Sequence, residues 1–140
     1  MNSDKYILKY IPQRGAMVMV DELIFADESV CKTRFTVSPG NIFVEDEDFS
    51  AAGLIENMAQ TAAARMGYIC FKEQRPVPIG FIAAVQNFQA FALPKINEQI
   101  ETEISIKNQI FDFTIVSGTV HSNGKKLAQC DLKIYISKQT

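Results

Sequence analysis

Residues 53 to 68 read GLIENMAQTAAARMGY. Glu56, Asn57 and Gln60 stand in a run made mostly of Leu, Ile, Met, Ala and Gly. The pattern predicts a helix from about Ala51 to Lys72, with Ser50 as its N-cap. Leu54, Ile55, Met58, Ala59, Ala62, Ala63 and Met66 cover most of the circumference, so the helix is expected to be enclosed on nearly every side. Its small residues allow neighbouring backbone to come close. A carboxylate in such a helix needs a partner or a task, because unpaired buried carboxylates are uncommon.

On either side of the helix the period changes from helical to alternating. QIETEISIK (99–107) puts Ile100, Thr102, Ile104 and Ile106 on one face and Glu101, Glu103, Ser105 and Lys107 on the other. FDFTI puts Phe111, Phe113 and Ile115 on one face. LAQCDLKIYI turns Ala128, Cys130, Leu132, Ile134 and Ile136 inward and Gln129, Asp131 and Lys133 outward. These are half-buried antiparallel strands. HSNGKK joins the last two through Asn-Gly, a strong hairpin signal. PIGFIAAVQNFQAF (78–91) alternates less cleanly and reads as a central strand buried on both faces. Before the helix, AMVMVDELIFADESVCKTRFTV reads as two strands with a turn near Asp27 to Ser29. EDED (45–48) reads as a solvated loop that also favours the helix dipole. The expected order is two strands, one long helix and four antiparallel strands. A sheet curled around one helix leaves an edge to cover, and self-association is the natural completion.

The bulk properties limit the function classes. The chain has 140 residues, 47% hydrophobic and 21% charged, with a net charge of −2. That suits one globular domain over residues 1–140 and argues against nucleic acid as a partner. No apolar run approaches the roughly 18 residues of a membrane span. MNSDKYILKY lacks a secretory h-region. Cys31, Cys70 and Cys130 have no CxxC spacing, and there is one histidine, which argues against a zinc site. They read as buried thiols in a reducing cytoplasm.

Three stretches resemble the hotdog-fold family, and within it the β-hydroxyacyl-acyl-carrier-protein dehydratases. IPQRGAMVMVDEL (11–23) resembles that family's Pro-His-Arg opening and following strand. GLIENMAQTAAA resembles its central helix, with Glu-x-Met-Ala-Gln. GFIAAVQNFQAFALPKINEQIETEISI resembles the strand pair beyond a Pro turn. The resemblance implies an α+β hotdog fold, a long central helix wrapped by a curved antiparallel sheet. It implies no metal or cofactor. It implies a histidine that takes the C2 proton of a 3-hydroxyacyl thioester and a helix carboxylate that protonates the departing hydroxyl. On this reading Glu56 is the carboxylate, and Gln60 is more an orienting partner than a catalyst. The carrier is an acyl carrier protein or coenzyme A.

The chain departs from the family where the base should be. Counting back from Glu56 places the family's histidine at Ile42, followed by Phe43 and Val44 in place of Phe-Pro. Asn41 stands next to it and would take the position after a one-residue shift, but Asn is no general base near neutral pH. SAAG replaces the Pro-Gly before the helix. Gln13 replaces the histidine of the opening motif. His121 lies in the VHSNGKK hairpin, where the motif does not call for it. Substrate contacts are therefore expected from Asn41, Ile42, Phe43 and Gln60. Arg14 stays open between a surface contact and a ligand. Three functions follow: a dehydratase-like enzyme of fatty acid or lipid-pigment synthesis, a non-catalytic acyl-binding subunit paired with an active hotdog partner, and an acyl thioesterase using one helix carboxylate. A degenerate branch associated with polyene or resorcinol-type lipid pigments fits equally well. The assembly expected is a homodimer or higher hotdog oligomer, or a heterodimer.

Overall fold

The structure is a computed structural model and describes residues 3–137. The ends of the domain expected over 1–140 lie outside the described residues. The elements run β1 (Glu22–Ala26), β2 (Val30–Thr36), β3 (Val44–Glu45), β4 (Asp48–Phe49), α1 (Ala51–Lys72), β5 (Ile79–Ala90), β6 (Gln99–Ile110), β7 (Phe113–Ser122) and β8 (Lys125–Ser137). Six strands form one antiparallel sheet in the order β1-β2-β6-β7-β8-β5, and β3 and β4 form a small hairpin. One long helix packed against a curved antiparallel sheet is the architecture the sequence led us to expect.

The helix starts and stops where local chemistry requires. Ser50 Oγ accepts from the Gly53 N–H at 3.3 Å, capping the first turn. At the other end Gln74 adopts φ 54°. There the Arg75 N–H donates to the Cys70 carbonyl and the Gln74 N–H to the Phe71 carbonyl, a Schellman closure. Buried positions such as Leu54, Asn57, Met58, Gln60, Ala64 and Gly67 cover about half the circumference of α1. Inward rows from β6, β7 and β8 meet it: Ile100 and Ile104, Val116 and Val120, Cys130 and Leu132. Gly118 gives Met58 its room, because a Cβ there would stand 2.7 Å from the Met58 sulfur.

Several expected details change. The stretch 78–91 forms β5, but at the edge of the sheet, and its side chains are mostly exposed. Its apolar content marks a surface left unpaired in one chain, not a central position. The strand expected from Ala16 begins only at Glu22. Residues 15–17 form a short 3-10 turn, and Met17 and Met19 give their backbone groups to the helix instead of a neighbouring strand. Phe111 is a turn residue at φ 55° and 99% exposed. The inner row of β7 is Thr114, Val116, Gly118 and Val120, and Phe113 and Ile115 look outward. EDED forms the β3–β4 hairpin, with Asp46 and Glu47 both at positive φ and Asp48 paired with Lys95 at 2.5 Å. Asn123-Gly124 makes the hairpin turn, both at positive φ as a type I′ turn requires. The three thiols are free and buried. Burial pushes Cys31 up to about 12 and Cys130 to about 11.

The chain before β1 is a strap laid along the helix. Arg14 holds its bend together by donating to the carbonyls of Leu8, Ile11 and Gln13 at 2.6 to 3.0 Å. That is a structural use of the guanidinium. The strap touches α1 most closely at Gly67, where an added Cβ would lie 1.9 Å from the Tyr10 carbonyl oxygen. Two effects oppose each other in Gly67→Ala. Helix propensity favours Ala by about 1 kcal/mol, and overpacking against backbone costs about 1–3 kcal/mol or more. The clash should win, because a carbonyl in a strap pinned elsewhere cannot move aside freely. Urea unfolding should show a net loss of stability. A raised midpoint would mean the strap is not seated on the helix.

Candidate active site

The polar residues of α1 sort into those that fasten the fold and one that does not. Gln60 is fully buried and makes three bonds. Its Oε1 accepts from the Met19 N–H at 2.7 Å, and its Nε2 donates to the Met17 carbonyl at 2.7 Å and to Glu56 Oε2 at 2.8 Å. Asn57 donates to the Met19 carbonyl at 2.7 Å and accepts from Thr102 Oγ1 at 2.5 Å. Thr61 Oγ1 donates to the Asn57 carbonyl and is bonded to Thr33 Oγ1, both at 2.8 Å. Arg65 donates to the carbonyls of Asp27 and Glu28 at 3.1 and 2.7 Å. Glu56 differs. It is half-buried, and Gln60 supplies its one hydrogen bond among the described residues.

Glu56, Ala59, Ala63 and Met66 are spaced 3, 4 and 3 apart, which puts them on one stripe of the helix. All four are only half-buried. This stripe lines a cavity of about 270 Å³, closed on the far side by Ile106, Val116, Ile134 and Ile136 from the sheet and by Phe81 from β5. The stripe is about 15 Å long at 1.5 Å per residue. For scale, a dry cavity of about 150 Å³ takes a benzene. The space therefore suits an extended apolar chain, with the carboxylate near one end. Glu56 and Arg65 are the only ionisable residues among the described lining, and Arg65 is tied to the β1–β2 turn.

The remaining predicted residues fall elsewhere within one chain. Phe43 packs on the main core and against the start of α1 beside Gly53. Asn41 Oδ1 accepts from the Phe43 N–H at 2.8 Å and its Nδ2 approaches the Met19 sulfur at 3.2 Å, so it shapes its own loop. Ile42 is 53% exposed. Asn41 and Ile42 line a separate shallow groove with Gly15, Val18 and Asp21. The structure thus brings Glu56 and Gln60 together and leaves Asn41, Ile42 and Phe43 outside their cavity. His121 is half-buried in β7, in register with Glu101 and Lys126, and lines another groove. Asp21 accepts from the Thr36 N–H at 2.8 Å and closes that crossing. Gln13 lines the Glu56 cavity, which the motif count alone did not foresee. The signal available was its place in the opening motif. Among the described residues no group of His, Cys, Asp and Glu could hold a metal, and no helix is long and apolar enough to cross a membrane.

Comparison with known proteins places this geometry. The model of the ApeP-like family, described as ApeP dehydratase, matches residues 5–140, and the chain belongs to that family. No curated protein matches. A solved structure described as the dehydratase heterocomplex ApeI:P from Xenorhabdus doucetiae is similar at a TM-score of 0.87 and 16% identity, over 95% of this chain and 91% of that one. Cj0977, a sigma28-regulated virulence protein from Campylobacter jejuni, is similar at 0.69 and 13%, over 91% and 82%. A hypothetical thioesterase with coenzyme A from Streptococcus pneumoniae TIGR4 is similar at 0.67 and 7%, over 84% and 85%. At these identities the likenesses show the fold, which is the hotdog fold expected from the sequence.

Gln60 should matter more for folding than its polarity suggests. Gln60→Met keeps the volume but leaves the Met17 carbonyl and the Met19 N–H without partners. Each unanswered buried backbone group costs about 1–3 kcal/mol, so a loss of about 2–5 kcal/mol is expected. A urea-melt difference under about 1 kcal/mol would show that water replaces the side chain at little cost.

Proposed function

We propose that this chain is one hotdog domain, residues 1–140, of a dehydratase acting on 3-hydroxyacyl thioesters carried on acyl carrier protein or coenzyme A. One observation carries the reading: the apolar cavity holds a single carboxylate, Glu56, held only by Gln60 among the described residues, and no described lining residue able to act as the base. In the proposed reaction a base takes the C2 proton. The C2–H electron pair becomes the C2=C3 bond, the C3–O bond breaks, and Glu56 gives its proton to the departing hydroxyl, which leaves as water. Gln60 fixes the carboxylate from one side, and the chain supplies the acid half of an acid–base pair.

The base half comes, on this reading, from a second hotdog subunit. β5 offers an edge of twelve residues with Phe81 at 56% exposure and with Ile82 and Val85 also exposed. Such an edge invites strand addition. The similar structure from Xenorhabdus doucetiae is described as a heterocomplex, which supports pairing with a non-identical hotdog subunit. That subunit would carry a histidine where this chain has Ile42. The Asn41–Phe43 loop, exposed at Ile42, would contact the acyl thioester at the shared interface. The buried reduced thiols fit a cytoplasmic setting. A reaction on 3-hydroxyacyl thioesters would belong, on this reading, to fatty acid or lipid-pigment synthesis.

Light scattering at micromolar concentration should show a dimer or a multiple of one. A chain that stays monomeric both alone and when mixed with a histidine-bearing hotdog partner would remove the interface on which the reading depends.

Activity gives the second test. The chain alone should form 2-enoyl product at a rate lower by about 10²- to 10⁴-fold than the same chain with a histidine-bearing hotdog partner. Glu56→Gln in this chain should abolish the partnered activity while the fold persists. Ile42→His should restore only part of the rate, because Val44 and SAAG leave the imidazole's aim unsupported and about 1 Å of error can cost 10²-fold. Robust turnover by the wild-type chain alone, unchanged by Glu56→Gln, would overturn the proposal.

A further inference from the structure

Hydrogen bonds within the fold locate the inner end of the Glu56 cavity. Asn57, next to Glu56, accepts from Thr102 on β6, and Thr102 pairs with Val120 on β7. Further along α1, Arg65 holds the β1–β2 turn, whose Ser29 carbonyl accepts from the Ile106 N–H. Ile106 pairs with Val116. The helix and β6 therefore run the same way, and Thr114, beyond Val116 on β7, lies at the end away from Glu56. Thr114 is 8% exposed, belongs to the inward row of β7 and lines the cavity. Its hydroxyl bonds to no described residue. The side-chain atoms that packing seals off without a hydrogen bond belong to Gln13, Arg34 and Asp48, so the Thr114 hydroxyl keeps open surface. β6 and β8 flank it on both sides. The cavity is the space its inward side chain opens into. Around it the wall is hydrocarbon, from Ile106, Val116, Ile134 and Ile136.

We infer that the cavity takes an acyl chain whose far end carries an oxygen, hydrogen-bonded to Thr114 Oγ1. The inference rests on the proposed function and deepens it by naming the substrate class. With the thioester at Glu56, one arm of the occupant follows the helix stripe toward Thr114. The acyl chain is the arm that fits, because the amides of a pantetheine arm would lose their hydrogen bonds against hydrocarbon. A chain ending in methyl would displace water from the Thr114 hydroxyl and give it no partner. A chain ending in an oxygen supplies one, since a threonine hydroxyl both donates and accepts. Arg65, the cation of the lining, disfavours an amine at that end. The chain is also long. The helix stripe and the strand path from Val120 to Thr114 put the two ends about 15–20 Å apart. An extended chain covers that with about 12–16 bonds at roughly 1.2 Å each, less the reach of the two side chains.

Thr114→Val separates a ligand contact from a structural one. It keeps the shape and the strand preference and removes a hydroxyl that has no partner in the fold, so the thermal midpoint should hold or rise. Binding is then measured by calorimetry with N-acetylcysteamine thioesters of 3-hydroxy acids of 8, 10, 12, 14 and 16 carbons. Each length is made in two forms, one ending in methyl and one ending in a second hydroxyl. The wild type should bind at least one long hydroxyl-ended probe as tightly as its methyl-ended twin, or more tightly. In Thr114→Val that probe buries its hydroxyl without a partner, and its affinity relative to the twin should fall by about 5-fold or more. The methyl-ended affinities should stay unchanged. A wild type that favours the methyl-ended twin at every length would overturn this inference and leave the proposed function standing. So would a ratio that Thr114→Val changes by less, or a lowered thermal midpoint with both series weakened alike. Failure of the wild type to bind any of the probes would overturn both.

Discussion

The fold depends on two amide side chains answering the backbone of a segment that belongs to no sheet. Met17 and Met19 cross the helix with no strand beside them. Gln60 takes the Met17 carbonyl and the Met19 N–H, and Asn57 takes the Met19 carbonyl. Three backbone groups that would otherwise be buried without partners are thereby satisfied. Asn57 extends the connection to Thr102 on β6, so strap, helix and sheet share one polar network inside the hydrophobic enclosure. Such networks define a unique arrangement when every member is satisfied. Glu56 enters at the network's edge, held by the last free N–H of Gln60. The carboxylate's position is therefore a by-product of how the helix is fastened.

This explains which parts of the structure the sequence makes legible. Alternation with period 2 marks β6 and β8, because one face of each meets the helix and the other meets water. The Ala- and Gly-rich run marks α1 because only an enclosed helix tolerates it. Asn123-Gly124 marks a hairpin because its backbone conformation needs those residues. Where the reading fails, a single-chain pattern carries two meanings. An apolar, poorly alternating strand is what a doubly buried centre looks like, and also what an edge meant for another subunit looks like. β5 lies at the edge with its side chains mostly exposed, and on the proposed reading it is the second kind. AMVMV has strand composition, yet its hydrogen bonds go to side chains 38 to 43 residues away, which no local pattern reveals.

The site is legible to the same limited degree. Glu56 and Gln60 share a helical face four residues apart, so their contact follows from spacing. The placement of Gln13 does not, since it depends on where a strap without regular structure is pinned. The separation of Asn41 and Ile42 from the cavity is equally invisible in sequence. Counting residues back from Glu56 gives distance along the chain, whereas the loop's Asx contact at Phe43 and its approach to Met19 decide where it points.

Symmetry sharpens the question of the absent base. A two-fold interface places the same residue at equivalent positions in both subunits. If the loop of one subunit meets the cavity of the other, a homodimer of this chain presents Ile42 at both sites and repairs neither. Within one chain His121 supplies no base either, because it lines a different groove from the Glu56 cavity. A non-identical subunit breaks the equivalence. One interface can then join this chain's carboxylate and apolar cavity to a histidine from the other chain, while the reverse site, with Ile42 facing the partner's carboxylate, stays silent. Half of the sites would be active. The cavity on this side would be under pressure to bind thioester well, with no pressure on Ile42 to be anything but apolar. On the proposed reading, an apolar cavity open at its mouth, a carboxylate tethered by Gln60 and an aliphatic residue in the base's place are parts of one consistent design.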